Sequence, residues 1–133
     1  GHRLSTAEME EIVAAHPVVA ECAVIGINDA LKGQVPLALV VTKSGDSMEH
    51  FQLQQEVVAL VRQQIGAVAA LRDVVIVQRL PKTRSGKILR KLMRGIADGE
   101  TVQVPSTIDD PLIIDEIREV LQSAKIGSFQ EMQ

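Results

Sequence analysis

Three short apolar runs, residues 21–27, 37–42 and 74–77, most constrain what this chain can fold into. Each is too short for a stable helix, rich in Val, Ile and Leu, and bounded by turn-forming residues, the pattern of a strand. Glu21-Cys22-Ala23-Val24-Ile25-Gly26-Ile27 is apolar on both faces and ends at Asn28-Asp29, so it reads as a buried strand. Leu37 to Thr42 reads as a second strand, stopped by Lys43-Ser44-Gly45-Asp46, with a turn at Lys32-Gly33-Gln34 before it. Val74-Val75-Ile76-Val77 is the third. Only Phe51 and Phe129 are aromatic, so the core must be aliphatic.

Helical patterns fill the spaces between. Ser5-Thr6-Ala7-Glu8 has the S-x-x-E form of a capping box, followed by Met9, Ile12 and Val13 at helical spacing. Pro17 disfavours helical geometry at His16 and should close this helix. Residues 49–66 carry Leu53, Val57, Leu60 and Val61 on one face, Arg62 on the opposite one, and Gly66 as a C-cap. Ile88 to Ala97 reads as a helix ended by Asp98-Gly99, and Asp110-Pro111 opens a last one through Ile114, Ile117 and Leu121. The order predicts an α+β fold: a small, three-stranded, largely antiparallel sheet covered by helices, with a C-terminal helix. Residues 1–123 read as one domain and residues 124–133 as a flexible tail.

A chain of 133 residues with 46% hydrophobic and 23% charged residues fits a globular domain rather than a disordered one. A single cysteine, Cys22, excludes an internal disulfide and a cysteine-rich metal cage. No apolar run approaches a membrane span and no signal peptide is visible, so a reducing, cytoplasmic setting with no membrane partner is expected. The net charge is −3, yet seven cations and no acid lie between Val74 and Ala97: Arg79, Lys82, Arg84, Lys87, Arg90, Lys91 and Arg94. Half of the positive charge therefore forms one anion-facing segment in an acidic molecule. A basic-patch nucleic-acid-binding module, or a protein-interaction module without catalysis, is the alternative reading of that segment. Scarce aromatics and the acidic balance argue against nucleic acid.

The most informative stretch is Leu80-Pro81-Lys82-Thr83-Arg84-Ser85-Gly86-Lys87-Ile88-Leu89-Arg90-Lys91. Pro81 stiffens its entry, Thr83, Ser85 and Gly86 offer hydroxyls and open backbone, and Lys87 is placed at a helix start, where anions are favoured. It is not a P-loop: Ile88 follows the lysine, and Pro81 stands where the first glycine should be.

This stretch closely resembles the lysine-bearing signature of AMP-forming acyl-CoA synthetases, the adenylate-forming superfamily. Gly1-His2-Arg3-Leu4-Ser5-Thr6-Ala7-Glu8 resembles the segment after the hinge of those enzymes. Lys32-Gly33-Gln34 and Arg62-Gln63-Gln64-Ile65-Gly66 follow in the same order, and Thr107-Ile108-Asp109-Asp110-Pro111 resembles the tail of the acetate and propionate branch. The resemblance spans residues 1 to about 122. It implies the C-terminal mobile lid domain of a short-chain carboxylate–CoA ligase, with propionate favoured over acetate by residues 31–36 and 107–111. The partner it implies is a large N-terminal domain that carries the ATP and acyl pockets.

Further expectations come from the resemblance. In this family a carboxylate attacks the ATP α-phosphate to give acyl-AMP, and coenzyme A thiol then attacks the acyl carbonyl. Lys87 is implied as the catalytic lysine of the first half, its ammonium held between two anions. Gly1, Arg3 and Arg62 are implied on the face used in the second half: Gly1 along the pantetheine path, Arg3 at the nucleotide phosphate, Arg62 at the phosphates of coenzyme A. Ala14, His16 and Val19 match positions that place backbone oxygens near Mg2+. Acetylation of Lys87 by a lysine acetyltransferase, reversed by a deacylase, is implied as a switch, with Arg84, Arg90 and Lys91 flanking the exposed site. The isolated domain is expected to be inactive.

Overall fold

The computed structural model describes residues 5–66 and 71–130. In chain order the elements are α1 (Thr6–Ala14), β1 (Val19–Asp29), β2 (Gly33–Thr42), α2 (His50–Ile65), β3 (Asp73–Ile76), α3 (Arg90–Ala97) and α4 (Ile113–Ala124). A single 3-10 turn, Gly127–Phe129, follows α4. The α+β order read from the sequence is the order found.

The strands form one sheet in the order β1-β2-β3. β1 and β2 make an antiparallel hairpin from Val19↔Thr42 to Asp29↔Gly33, with a bulge between Val19 and Glu21. Asp29 shapes the turn: its carboxylate accepts the Leu31 and Lys32 N–H groups at 3.0 and 2.9 Å. Those backbone bonds, Lys32 first, hold its carboxyl below the usual carboxylate range. Gly33 closes the loop at φ +84, a conformation glycine adopts without strain.

β3 joins β2 in parallel, from Leu37↔Asp73 to Val40↔Ile76. The sheet is thus mixed, its longer pairing antiparallel and its shorter one parallel. The connection explains why: α2 separates β2 from β3, and a strand returning after a helical crossover lies parallel.

Strand alternation sorts the apolar side chains onto two faces. Ala23, Ile25, Ile27, Leu37, Leu39, Val75 and Val77 face α3, α4 and the final turn, where Met93, Ile96, Ile117 and Leu121 complete the core. Cys22, Val24, Ala38, Val40 and Val74 face α1 and α2, against Met9, Val13, Leu53, Val57 and Val61. The scarcity of polar positions within the sequence runs is the consequence of this two-sided burial.

Four details differ from the sequence reading. Ser5 makes no side-chain cap bond; its hydroxyl instead donates to Glu8 Oε2 at 3.0 Å. α3 begins at Arg90 rather than Ile88, because Leu89 N–H is already committed to Pro81 O and Ile88 pairs with Lys82. α4 begins at Ile113, after a turn in which Asp110 accepts the Leu112 N–H at 3.0 Å. The segment read as a frayed tail is anchored as far as Gln130: Lys125 adopts φ 55, Ile126 N–H donates to Leu121 O, and Ile126 and Phe129 are buried.

Candidate functional site

Lys87 lies at the end of a tight hairpin whose arms are joined by an antiparallel bridge between Lys82 and Ile88. Thr83 is its organiser. Thr83 N–H donates to Lys87 O at 2.9 Å, Thr83 O accepts from Gly86 N–H at 2.9 Å, and Thr83 Oγ1 accepts from Lys87 N–H at 3.1 Å. The Ser85 hydroxyl lies 3.0 Å from Thr83 Oγ1. Gly86 makes the turn at φ +94, a region costly for a residue with a side chain. A second segment supports the arm: Arg84 N–H donates to Thr107 O and Asp109 N–H to Lys82 O, both at 2.9 Å, around a Thr83–Ile108 bridge.

Lys87 is therefore an exposed side chain on a pinned hairpin, three residues before α3. The expected position at a helix start is not found, because the hairpin takes up the backbone groups that a longer helix would need. The ordering comes from hairpin hydrogen bonds instead.

The seven cations of the basic segment divide into two groups. Lys82 Nζ pairs with Glu21 Oε2 at 2.6 Å. Arg90 grips Glu10 through Nε at 3.1 Å and Nη2 at 2.7 Å, which raises the guanidinium pKa further. Arg79 pairs with Glu116 and Asp110, and those two bonds raise its pKa in the same way. Arg79 in turn holds the Glu116 carboxyl low, and Asp110 is lowered by the Leu112 N–H first and Arg79 second. The other four, Arg84, Lys87, Lys91 and Arg94, are exposed and have no carboxylate within ion-pair distance among the described residues. A continuous nucleic-acid track loses three of its seven charges to such pairs. The hairpin keeps Lys87 available between two neutralised cations.

The second set of candidate residues lies across the sheet. Arg62 is exposed in the last turn of α2, while Val57 and Val61 are buried against the sheet. Gly66 caps that helix at φ 102, its N–H donating to Arg62 O at 2.8 Å. No ion pair to Arg62 forms among the described residues. Gly1 and Arg3 lie outside the described residues.

His16 is buried, and both ring nitrogens are engaged. Nδ1 accepts the Val18 N–H at 3.0 Å, so Nε2 carries the proton and donates to Glu56 Oε1 at 2.8 Å. That bond holds the Glu56 carboxyl below its usual range. The ring thus ties the end of α1 to α2 and has no nitrogen left for a metal. The His16 carbonyl accepts the Val19 N–H at 3.1 Å. The backbone oxygens of Ala14, His16 and Val19 are neutral donors of the kind magnesium takes, and a complete site needs further ligands from elsewhere. Among the described residues no cluster of three His, Cys, Asp or Glu side chains could hold a metal, and no helix is long and apolar enough to cross a membrane.

The sequence reading missed Glu10 and Glu21, the carboxylates behind the hairpin. They stand 80 and 61 positions from Arg90 and Lys82, a separation beyond any local pattern. The available signal was the charge asymmetry: acids dominate before Val74, and only cations lie between Val74 and Ala97.

Residues 8–87 match the family model of the AMP-binding enzyme C-terminal domain. The chain is 49% identical over 124 residues to the mitochondrial acyl-CoA synthetase short-chain family member 3 of Mus musculus, covering 93% of this chain and 18% of that one. It is 46% identical over 127 residues to the propionate–CoA ligase of Escherichia coli (strain K12), covering 92% and 20%. A crystal structure of Brucella canis acyl-CoA synthetase superposes with a TM-score of 0.64 at 35% identity, over 71% of this chain and 17% of that one. The chain spans about a fifth of the length of the curated relatives it matches.

Proposed function

The chain belongs to the AMP-binding enzyme C-terminal domain family, and on that premise we propose that it is the mobile domain of an AMP-forming, short-chain acyl-CoA synthetase. The observation that carries this reading is the pinned hairpin with Lys87 exposed and without a carboxylate partner among the described residues. An ammonium so placed can enter a site built by another domain and sit between a carboxylate and a polyphosphate. Those two anions repel, and a fixed cation between them lowers the energy of their encounter. ATP supplies the adenylyl group, with pyrophosphate leaving, and coenzyme A the thiol that then displaces AMP.

Arg62 serves the second half-reaction as a charge-assisted contact to a coenzyme A phosphate, with Gly1 along the thiol's path and Arg3 at the nucleotide. Ala14, His16 and Val19 offer backbone oxygens to a magnesium ion. A short carboxylate is the substrate class, propionate before acetate, in keeping with the similarity to the Escherichia coli propionate–CoA ligase. The N-terminal domain of the parent enzyme is the partner, and the setting is cytoplasmic. Acetylation of Lys87 by an acetyltransferase, reversed by a deacylase, removes the charge and switches adenylation off.

The test is Lys87→Ala in the full-length parent enzyme, followed by carboxylate-dependent ATP–pyrophosphate exchange. Exchange should fall by a factor of about 100 or more, the scale for losing one transition-state charge contact. Exchange at the parental rate would refute the assignment.

A further inference from the structure

We propose that Glu10 and Glu21 are positioning residues for Lys87, acting as two struts on its hairpin; this rests on the adenylation role given to Lys87 above. A cation stands on each side of Lys87: Lys82 on the hairpin, five residues before it, and Arg90 at the start of α3, three after it. Each cation is gripped by a carboxylate from the β1 side of the molecule. Glu21, on β1, takes the Lys82 ammonium at 2.6 Å. Glu10, on α1, takes Arg90 in a two-point grip.

Glu10 is itself fixed. Its Oε1 also accepts the Val24 N–H at 2.9 Å, and Val24 lies on β1, an edge strand of the sheet. The Glu10 side chain is 22% exposed, so its bonds are partly shielded from water. A bidentate guanidinium–carboxylate pair fixes orientation as well as distance. The chain from Val24 through Glu10 to Arg90 therefore runs around the open edge of the sheet, from the α1 face to the α3 face.

The consequence concerns reach. Lys87 has a flexible stem, so the position of its ammonium depends on where the hairpin holds its backbone. Misplacement of a catalytic group by about 1 Å costs up to about 100-fold. The hairpin's internal hydrogen bonds fix its shape, whereas the struts, together with the bridge to Ile108, fix its position on the domain. Arg90, occupied by Glu10, is correspondingly less available to a modifying enzyme than Arg84 or Lys91.

The experiment uses the full-length parent enzyme with Glu10→Ala, Glu10→Gln, Arg90→Ala and the Glu10→Ala/Arg90→Ala double variant. Each is assayed for pyrophosphate exchange, for thioester formation from supplied acyl-adenylate, and for melting temperature. Glu10→Ala should lower the exchange kcat about tenfold or more, with KM values and the thioester step within about twofold. Glu10→Gln keeps an oxygen for Val24 but loses the charged two-point grip on Arg90, so its exchange should fall less than that of Glu10→Ala and stay below the parental rate. The double variant should be no slower than Arg90→Ala alone, since both changes break one interaction. Equal losses in both half-reactions, unchanged exchange in both Glu10 variants, or multiplicative losses in the double variant would overturn the proposal. If Glu10→Ala melts below the assay temperature, Glu10→Gln decides: full thioester activity with reduced exchange supports the strut, and parental exchange refutes it. Lys87→Ala run alongside separates the two layers. If it leaves exchange intact, the reading of Lys87 fails; if it abolishes exchange while both Glu10 variants do not, only the struts fail.

Discussion

The two faces of the sheet are built from one set of strands but present different chemistry. On the α3–α4 face, the lysine hairpin is held by backbone bonds, a bridge to Ile108 and the Lys82–Glu21 ion pair. On the α1–α2 face, Arg62 stands on a regular helix whose other side is buried, and it needs no local device beyond the Gly66 cap. The contrast teaches that a residue can be presented in two ways. A helix places a side chain by its period alone, whereas a short turn must be tied down by hydrogen bonds and charges drawn from distant segments. On the function proposed above, one sheet separating the two sites would let the domain offer either of them by rotation.

Core truncations test whether the faces share one fold. Phe129→Ala, on the α3–α4 side, should cost about 3–5 kcal/mol, and Leu53→Ala, on the α1–α2 side, about 2–5 kcal/mol. Both should appear in urea melts as one cooperative transition. Separate transitions for the two variants would mean that the faces are independent units.

Smaller changes discriminate function. Arg62→Ala should weaken coenzyme A use by about 1–3 kcal/mol while sparing adenylation. An unchanged coenzyme A KM in the full-length variant would remove Arg62 from the α1–α2 site. Gly86→Ala meets no atom within 4 Å, so only its positive φ opposes it. The strain should be about 1–2 kcal/mol, seen as reduced exchange and a melting temperature lowered by several degrees. A parental exchange rate would show that the hairpin tolerates distortion.

The smallest effect is a pH slope. Burial, then the Glu10 carboxylate, pushes the Cys22 thiol up from 9.0 to about 12. Between those values the unfolded chain gives up the proton and the folded chain keeps it. Its contribution is full below pH 9 and is lost as pH rises toward 12. Cys22→Ala should therefore show a shallower alkaline loss of stability than the parent across that window. Parallel curves would mean that Cys22 is not shielded in the α1–α2 core.

How far the sequence reached follows from the range of each signal. The strands, α2, its Gly66 cap and the surface position of Arg62 were legible because periodicity and caps act over a few residues. The parallel placement of β3 was implicit in the α2 crossover but was outweighed by the hairpin before it. The motif around Lys87 was legible as a motif, but its geometry was not. The bridge to Ile108, the Lys82–Glu21 pair and the Arg90–Glu10 pair join segments that only the tertiary fold brings together. The anchoring of residues 125–130 was hidden for a related reason. Ile126 and Phe129 are two apolar residues in a polar stretch, and their pocket is made by the rest of the domain. Gly127 fits there because a side chain would come within 2.3 Å of Ala97 O.

The central claim is that the two faces serve different half-reactions, and a crossed assay tests it most directly. Lys87→Ala and Arg62→Ala, each in the full-length parent enzyme, are measured for pyrophosphate exchange and for thioester formation from supplied acyl-adenylate. The account predicts a crossing: Lys87→Ala loses exchange and keeps the thioester step, while Arg62→Ala keeps exchange and loses coenzyme A affinity. Loss of both activities in proportion, in either variant, would contradict it.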